Sequence, residues 1–237
     1  METRVNFIIE SIRNWFNING KGCKAVVGVS GGKDSTIVLA LACEALGREN
    51  VIGVSMPDYG QDSELAREIC TYFGVQFIDF PIWPMVSCYK KIPLSDQANM
   101  NIPPRVRMSV LYAISQTYNG RVLNTSNLSE DWIGYSTRWG DSVGDLMVLS
   151  NYTATEVKEI GHALKIPSDW VEKTPDDGLP GSKPDEEKFG FTYEVLDRYI
   201  RTGECENIYT RKSIDDKHRK NLFKLHMPES IPYYELA

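Results

Sequence analysis

The chain has 237 residues, and 26 Lys and Arg against 32 Asp and Glu leave a formal charge of −6. That length suits one large domain with its own core, and an acidic balance argues against the phosphate backbone of a nucleic acid as the main partner. The 42% hydrophobic and 24% charged content is that of an ordinary globular protein.

Met1 to Glu10 has acids on both sides of a very short apolar run, without the charged and apolar regions of a signal peptide. The longest apolar stretch, Thr36 to Ala42, falls far short of the roughly 20 residues that cross a bilayer, so the expectation is a soluble, cytoplasmic chain with no membrane partner. Cys23, Cys43, Cys70, Cys88 and Cys205 are widely spaced and form no Cys-x-x-Cys pair. Reduced, mostly buried thiols are expected.

Val5 to Ile18 carries apolar residues at helical spacing, and Asn19-Gly20 supplies the stop. Lys24 to Ser30 reads as a β-branched strand, Gly31-Gly32 as a turn, and Ser35 to about Leu46 as an apolar helix ended by Gly47. Val51 to Met56 is the next strand, Asp62 to Phe73 a helix stopped by Gly74, and Val75 to Phe80 a third strand. This alternation predicts an α/β fold: a doubly wound, mainly parallel sheet with helices on both faces. Residues 81–104 contain five prolines, which predicts a long functional loop. Arg107 to Tyr118 is helix-like, Arg121 to Asn124 is a fourth strand, and residues 130–145 show no clear period. Thr153 to Leu164 opens with the capping-box pattern Thr153-x-x-Glu156. Residues 174–188 are rich in Pro, Gly and Asp and are expected to be mobile, and helices over 192–200 and 206–223 form a helical C-terminal tail. No internal repeat appears, so residues 1–237 read as a single domain.

The sharpest local signal is Gly28-Val-Ser-Gly-Gly-Lys-Asp-Ser35, which joins a buried strand to a helix start. Glycines let the chain turn at positive φ, and the helix N-terminus adds backbone donors and about half a positive charge, so a phosphate fits there. Ser30 and Ser35 add hydroxyls. It is not a Walker A loop, because Lys33 is followed by Asp34 rather than Ser or Thr. An acid inside an anion loop makes sense if a divalent cation, most simply Mg²⁺, sits between it and the phosphates; otherwise Asp34 is the cap of a tight turn.

Ser-Gly-Gly-x-Asp-Ser after a first strand resembles the pyrophosphate loop of the ATP pyrophosphatases. Two later stretches, Asn101-Ile-Pro-Pro-Arg-Val-Arg-Met108 and residues 123–141 (LNTSNLSEDWIGYSTRWGD), resemble the ammonia-dependent NAD synthetases within that superfamily. Asp145, Lys173-Thr-Pro175 and Gly190-Phe-Thr-Tyr193 follow in the same order, so the resemblance runs from about residue 5 to residue 230. It implies an adenine nucleotide alpha-hydrolase-like fold and a ligase that forms a C–N bond, amidating deamido-NAD with ammonia and ATP. The ATP contacts it implies are Gly28, Val29, Ser30, Gly31, Gly32, Lys33, Asp34, Ser35 and Thr125. Asp34 and Glu130 would hold Mg²⁺, and Arg105, Arg138, Asp145, Phe223 and Lys224 would face the deamido-NAD. The residues themselves agree in part: two substrate phosphates need cationic clamps such as Arg105 and Arg138, which are otherwise solvated surface charges. Asp145 is equally well a cap, and Trp132, Tyr135 and Trp139 are either core or a stacking surface. The resemblance also implies a homodimer, with free ammonium as the nitrogen source.

Three positions depart from the family pattern. Ala154 stands where relatives carry an ATP-binding lysine, with Lys158 one turn later; Asp176 follows Pro175 where relatives have Ser or Thr; and Phe223-Lys224 replaces a His-Lys pair. These departures keep two other readings in play, amidation of a different carboxylate and a nucleotide-binding relative without turnover. A tRNA-modifying enzyme would need a basic face and a reactive cysteine pair.

Overall fold

The computed structural model describes residues 1–173, 183–228, 230 and 231. Helix α1 (Glu2–Asn19) leads into β1 (Lys24–Gly28), α2 (Lys33–Leu46), β2 (Val51–Ser55), α3 (Glu64–Phe73) and β3 (Gln76–Asp79). Then follow α4 (Trp83–Tyr89), α5 (Asp96–Met100), α6 (Ile102–Thr117), β4 (Gly120–Asn124), α7 (Leu128–Ile133), β5 (Leu146–Met147), α8 (Ala154–Ala163), α9 (Ser168–Val171), α10 (Asp185–Phe189), α11 (Tyr193–Thr202) and α12 (Ile208–Asn221). Short 3₁₀ turns lie at Arg48–Asn50, before β2, and at Leu222–Lys224, where the chain continues from α12.

The five strands form one sheet in the order β3-β2-β1-β4-β5, and every pairing is parallel. Alternation along the buried strands divides the core between the two faces. Ala25, Val27 and Val51 pack with α1, α2 and α8, whereas Val26, Ile52 and Val54 pack with α4 and α6. A third apolar cluster joins α7 to α11 and α12 through Ile133, Leu196 and Ile214. The doubly wound fold and the helical tail are as expected. The chain runs from β1 outward to β3, then returns past β1 to β4 and β5. The strand order therefore reverses between β1 and β4, and a crevice opens at their carboxyl ends, where α/β sheets bind ligands.

Residues 81–104 are not a loop: they contain α4, α5 and the first turn of α6. Pro84 lies in the first turn of α4, and Pro103 and Pro104 lie in the first turn of α6, positions where a missing N–H breaks no helical bond and the fixed φ already suits the helix. Of the expected mobile segment 174–188, residues 174–182, including Asp176, lie outside the described residues, and Asp185–Phe189 is helical. The cysteines also differ from expectation: Cys70 alone is buried, Cys23, Cys43 and Cys205 are half-buried and Cys88 is exposed, all as free thiols. Among the described residues no helix is long and apolar enough to cross a membrane.

Candidate active site

The Gly28–Ser35 loop leaves β1 at the crevice. Val29 N–H donates to the Val54 carbonyl at 2.8 Å, which extends the sheet bonding to the edge of the loop. Gly31 then takes φ +82, the left-handed region open to glycine, with Leu65 packed 3.1 Å from where a Cβ would sit. Ser35 Oγ accepts from Ser30 N–H at 3.3 Å and donates to the Gly32 carbonyl at 3.0 Å, so both ends of the loop are closed on one hydroxyl. Gly32, the N-cap of α2, offers no side chain to the helix start. The first-turn amides of α2 lack a side-chain cap, as an anion site requires.

Across the crevice, β4 ends at Asn124, whose side-chain amide donates to the Asp141 and Val143 carbonyls at 2.7 and 3.2 Å and fixes the chain that follows. Asn127, fully buried, caps α7: its Oδ1 accepts from Glu130 N–H at 3.1 Å. Its Nδ2 donates to Asp34 Oδ1 at 3.3 Å. One asparagine therefore holds both carboxylate-bearing segments. Burial, and then the charge of Asp34, push the Glu130 carboxyl up to about 8. Lys33 Nζ, 2.7 Å from Asp34 Oδ2, partly offsets that charge. The carboxylates of Asp34 and Glu130, both fastened by Asn127, are hard oxygen donors of the kind that would suit a Mg²⁺. Three or more grouped Asp, Glu, His or Cys side chains of the kind that make an all-protein cage are absent among the described residues.

Three residues without an individual role in the sequence analysis close this pocket. Asp185, buried at the start of α10, accepts from Tyr135 O–H at 2.9 Å and from Lys188 at 3.3 Å. The Tyr193 ring lies 5.9 Å from Lys33 Nζ, and its buried hydroxyl has no partner among the described residues. Asn127 is the third. Lys173 Nζ reaches the Gly31 carbonyl at 3.4 Å and ties the approach to the 174–182 segment to the phosphate loop. Thr125, half-buried, sits one residue beyond the end of β4.

The expected substrate-facing residues separate into two places. Arg138, Phe223 and Lys224 come together, because the 3₁₀ turn at 222–224 folds back on the segment after α7. The Arg138 guanidinium lies between the Trp139 and Phe223 rings, at 5.0 and 5.2 Å, and its buried Nε has no hydrogen-bond partner. Trp139 itself adopts φ 63, a conformation that bulky side chains rarely hold. Lys224 Nζ donates to the Gly134 and Ser136 carbonyls at 2.8 and 3.0 Å, and burial lowers its pKa. Arg105, exposed on α6, has no hydrogen bond or ion pair among the described residues, and the preceding Pro104 packs on Gly140 of the Arg138 segment.

Asp145 stands apart. Its Oδ2 accepts from Val122 N–H at 2.7 Å and its Oδ1 from Tyr112 O–H at 3.4 Å, pinning the start of β5 to β4 below the crevice. It also lines a polar cleft of about 400 Å³ with Tyr112, Gln116 and Arg121. Trp132 stacks on His218 at 4.0 Å, and Tyr135 is engaged by Asp185, whereas Trp139 keeps its ring partly open to solvent. Ala154 is buried, and Lys158, the candidate substitute, is bound to Glu172 at 2.9 Å.

A parallel, doubly wound sheet with a glycine-serine phosphate loop at its switch point and two carboxylates behind that loop defines a nucleotide-handling α/β enzyme. The chain matches the NAD synthase family model over residues 4–229 and belongs to that family, whose members are ligases forming a C–N bond. It is 34% identical over 204 residues to the NH(3)-dependent NAD(+) synthetase of Methanococcus aeolicus, a match covering 82% of this chain and 78% of that one. It is 32% identical over 230 residues to the corresponding protein of Malacoplasma penetrans, covering 94% of each. Among solved structures it is similar to the NMN synthetase of Francisella tularensis, with a TM-score of 0.87, 24% identity and 97% and 99% of the two chains covered. The NH3-dependent NAD synthetase of Campylobacter jejuni superimposes with a TM-score of 0.79 at 23% identity, covering 98% and 100%. At those identities the structural likeness speaks for the fold.

Proposed function

We propose that the chain amidates deamido-NAD with ammonia to form NAD, consuming ATP and releasing AMP and pyrophosphate. The observation that carries this reading is the Gly28–Ser35 loop at the β1–β4 crevice, with Asp34 and Glu130 fastened behind it by Asn127. Identity of 34% to an NH(3)-dependent NAD(+) synthetase supports the choice of acceptor.

In this mechanism a nicotinate carboxylate oxygen attacks the α-phosphorus of ATP, the bond from that phosphorus to the bridging oxygen breaks, and pyrophosphate departs. Ammonia then attacks the acyl carbon of the adenylate, AMP leaves with the C–O bonding pair, and the nitrogen releases a proton to solvent. No side-chain nucleophile is needed; the protein contributes position and charge. Residues 28–35 and Thr125 hold the ATP. Asp34 and Glu130 hold Mg²⁺, which when bound neutralises phosphate charge and polarises the phosphoryl oxygens. Arg138 offers a guanidinium whose free Nε suits a phosphate oxygen, with Phe223 and Trp139 setting its plane. Lys224 holds that segment and keeps one donor for substrate. Arg105 clamps a second phosphate, and Asp145 binds the far end of the dinucleotide from the polar cleft.

The enzyme works in the cytoplasm on free ammonium, as a homodimer. Exposed Trp83 and Tyr89 on α4 and Met100 on α5 support an apolar contact between copies, and a monomer by light scattering would remove that part of the reading.

Ala154 and the occupied Lys158 favour a second reading in which the acceptor is a different carboxylate, because α8 brings no free lysine to the nucleotide. One experiment decides between them: pyrophosphate release from MgATP with and without ammonium, and with deamido-NAD, nicotinate mononucleotide or neither. Turnover only with ammonium and deamido-NAD, matched by NAD formed, is expected. Pyrophosphate release with the mononucleotide alone selects the second reading, and ATP binding without AMP in any mixture rejects both.

A further inference from the structure

Lys33 opens α2 and is 3% exposed. Its placement goes against two electrostatic preferences at once: a cation in a first helical turn meets the positive end of the helix dipole, and a buried ammonium loses its hydration. Among the described residues its one hydrogen bond is to Asp34 Oδ2, at 2.7 Å, so two of its three donors are unused. What holds it there is first the charge of Asp34, with the carboxyls of Glu130 and Asp185 acting in the same direction when ionised and the face of the Tyr193 ring 5.9 Å away. A short side chain or an apolar one at position 33 would avoid both penalties and leave the acids uncompensated.

We propose that Lys33 is a tethered counter-cation: without nucleotide its ammonium stands in for a divalent ion beside Asp34 and Glu130, and when Mg²⁺ arrives with ATP it swings onto the triphosphate oxygens. The four-carbon stem allows that movement without shifting α2. The site therefore takes its metal as the nucleotide complex and refuses the bare ion. This rests on reading Asp34 and Glu130 as the metal holders.

Manganese alone, titrated by the electron paramagnetic resonance signal of the free ion, tests it with no reaction running. Nucleotide-free wild type should bind Mn²⁺ no better than Asp34→Asn, and Lys33→Arg should behave like wild type. Lys33→Met should bind about tenfold more tightly. Adding Asp34→Asn to Lys33→Met should abolish that gain. Wild-type Mn²⁺ binding that Asp34→Asn removes would overturn the proposal, as would Lys33→Met binding no tighter than wild type or a double variant that keeps the gain. If Lys33→Met does not fold, the comparison of wild type with Asp34→Asn decides alone. Failure of the NAD-forming reading is visible separately, as no NAD in the complete reaction mixture.

Discussion

Replacing Asn127 separates helix capping from the positioning of the two carboxylates. In Asn127→Ala, α7 loses its N-cap, worth about 1 kcal/mol. Asp34 loses a hydrogen bond from a fully buried donor, worth about 1.5 kcal/mol for a charged acceptor. The combined loss of roughly 2–3 kcal/mol lowers the melting temperature by roughly 5–10 °C in a chain of this size. Turnover falls about 100-fold, because Asp34 and Glu130 are then free to shift by about an ångström. Asn127→Ser divides the two effects. A serine hydroxyl still caps α7 through Glu130 N–H but is too short to reach Asp34. Its melting temperature should fall by about 3–6 °C, the share of the lost Asp34 hydrogen bond alone, while pyrophosphate release falls nearly as far as in the alanine variant. Assays would pair thermal melting with pyrophosphate release below both melting temperatures. Near-normal turnover in Asn127→Ser would refute the positioning role and leave only the cap.

Other outcomes follow from the same contacts. Asp34→Ala should abolish pyrophosphate release with the circular dichroism spectrum unchanged, and appreciable turnover in it would refute the metal role. Arg138→Ala should raise KM for the dinucleotide about tenfold or more, the share of one charge-assisted contact, while KM for ATP holds steady; equal changes in both would place Arg138 elsewhere. Buried Asp197 accepts from Thr155 N–H at 2.8 Å and from Ser129 Oγ, so Asp197→Ala should lower stability by about 2–3 kcal/mol in chemical denaturation, and a loss under half of that would contradict its role at the start of α8. In metal-free protein, Glu130 keeps its proton up to about 8, whereas the unfolded side chain releases it near 4.5. The folded state thus binds more protons between those values, and stability falls as pH rises through that window. Glu130→Gln should flatten that slope, and parallel melting curves across pH for the two proteins would exclude the effect.

The phosphate loop was legible in the sequence because everything that makes it is contiguous. A β-branched strand, two glycines, flanking serines and a helix start all fall within Lys24 to Leu46, where spacing and propensity are local quantities. The alternation of strands and helices likewise showed the doubly wound sheet. The prolines of residues 81–104 misled, since Pro103 and Pro104 mark a helix start as readily as a break, and the packing of α6 on the β1 and β2 side chains decides between them. Residues 146–147 carry too short a signal for a strand by themselves, and β5 exists because Asp145 is fastened to Val122.

Which side chains meet in the site was a matter of tertiary structure. Asp34 and Asn127 are 93 residues apart, Lys173 and Gly31 are 142 apart, and Arg138 meets Phe223 only after the C-terminal turn folds back. Sequence patterning reports how a segment treats its own neighbours and which face it hides, so it named the loop and its chemistry. It carries no term for a contact whose geometry depends on how two distant segments are brought together by the sheet. Asn127 as joint anchor, Asp185 and Tyr193 as walls, and Lys33 as a buried cation among acids were decided only when β1 and β4 were set side by side.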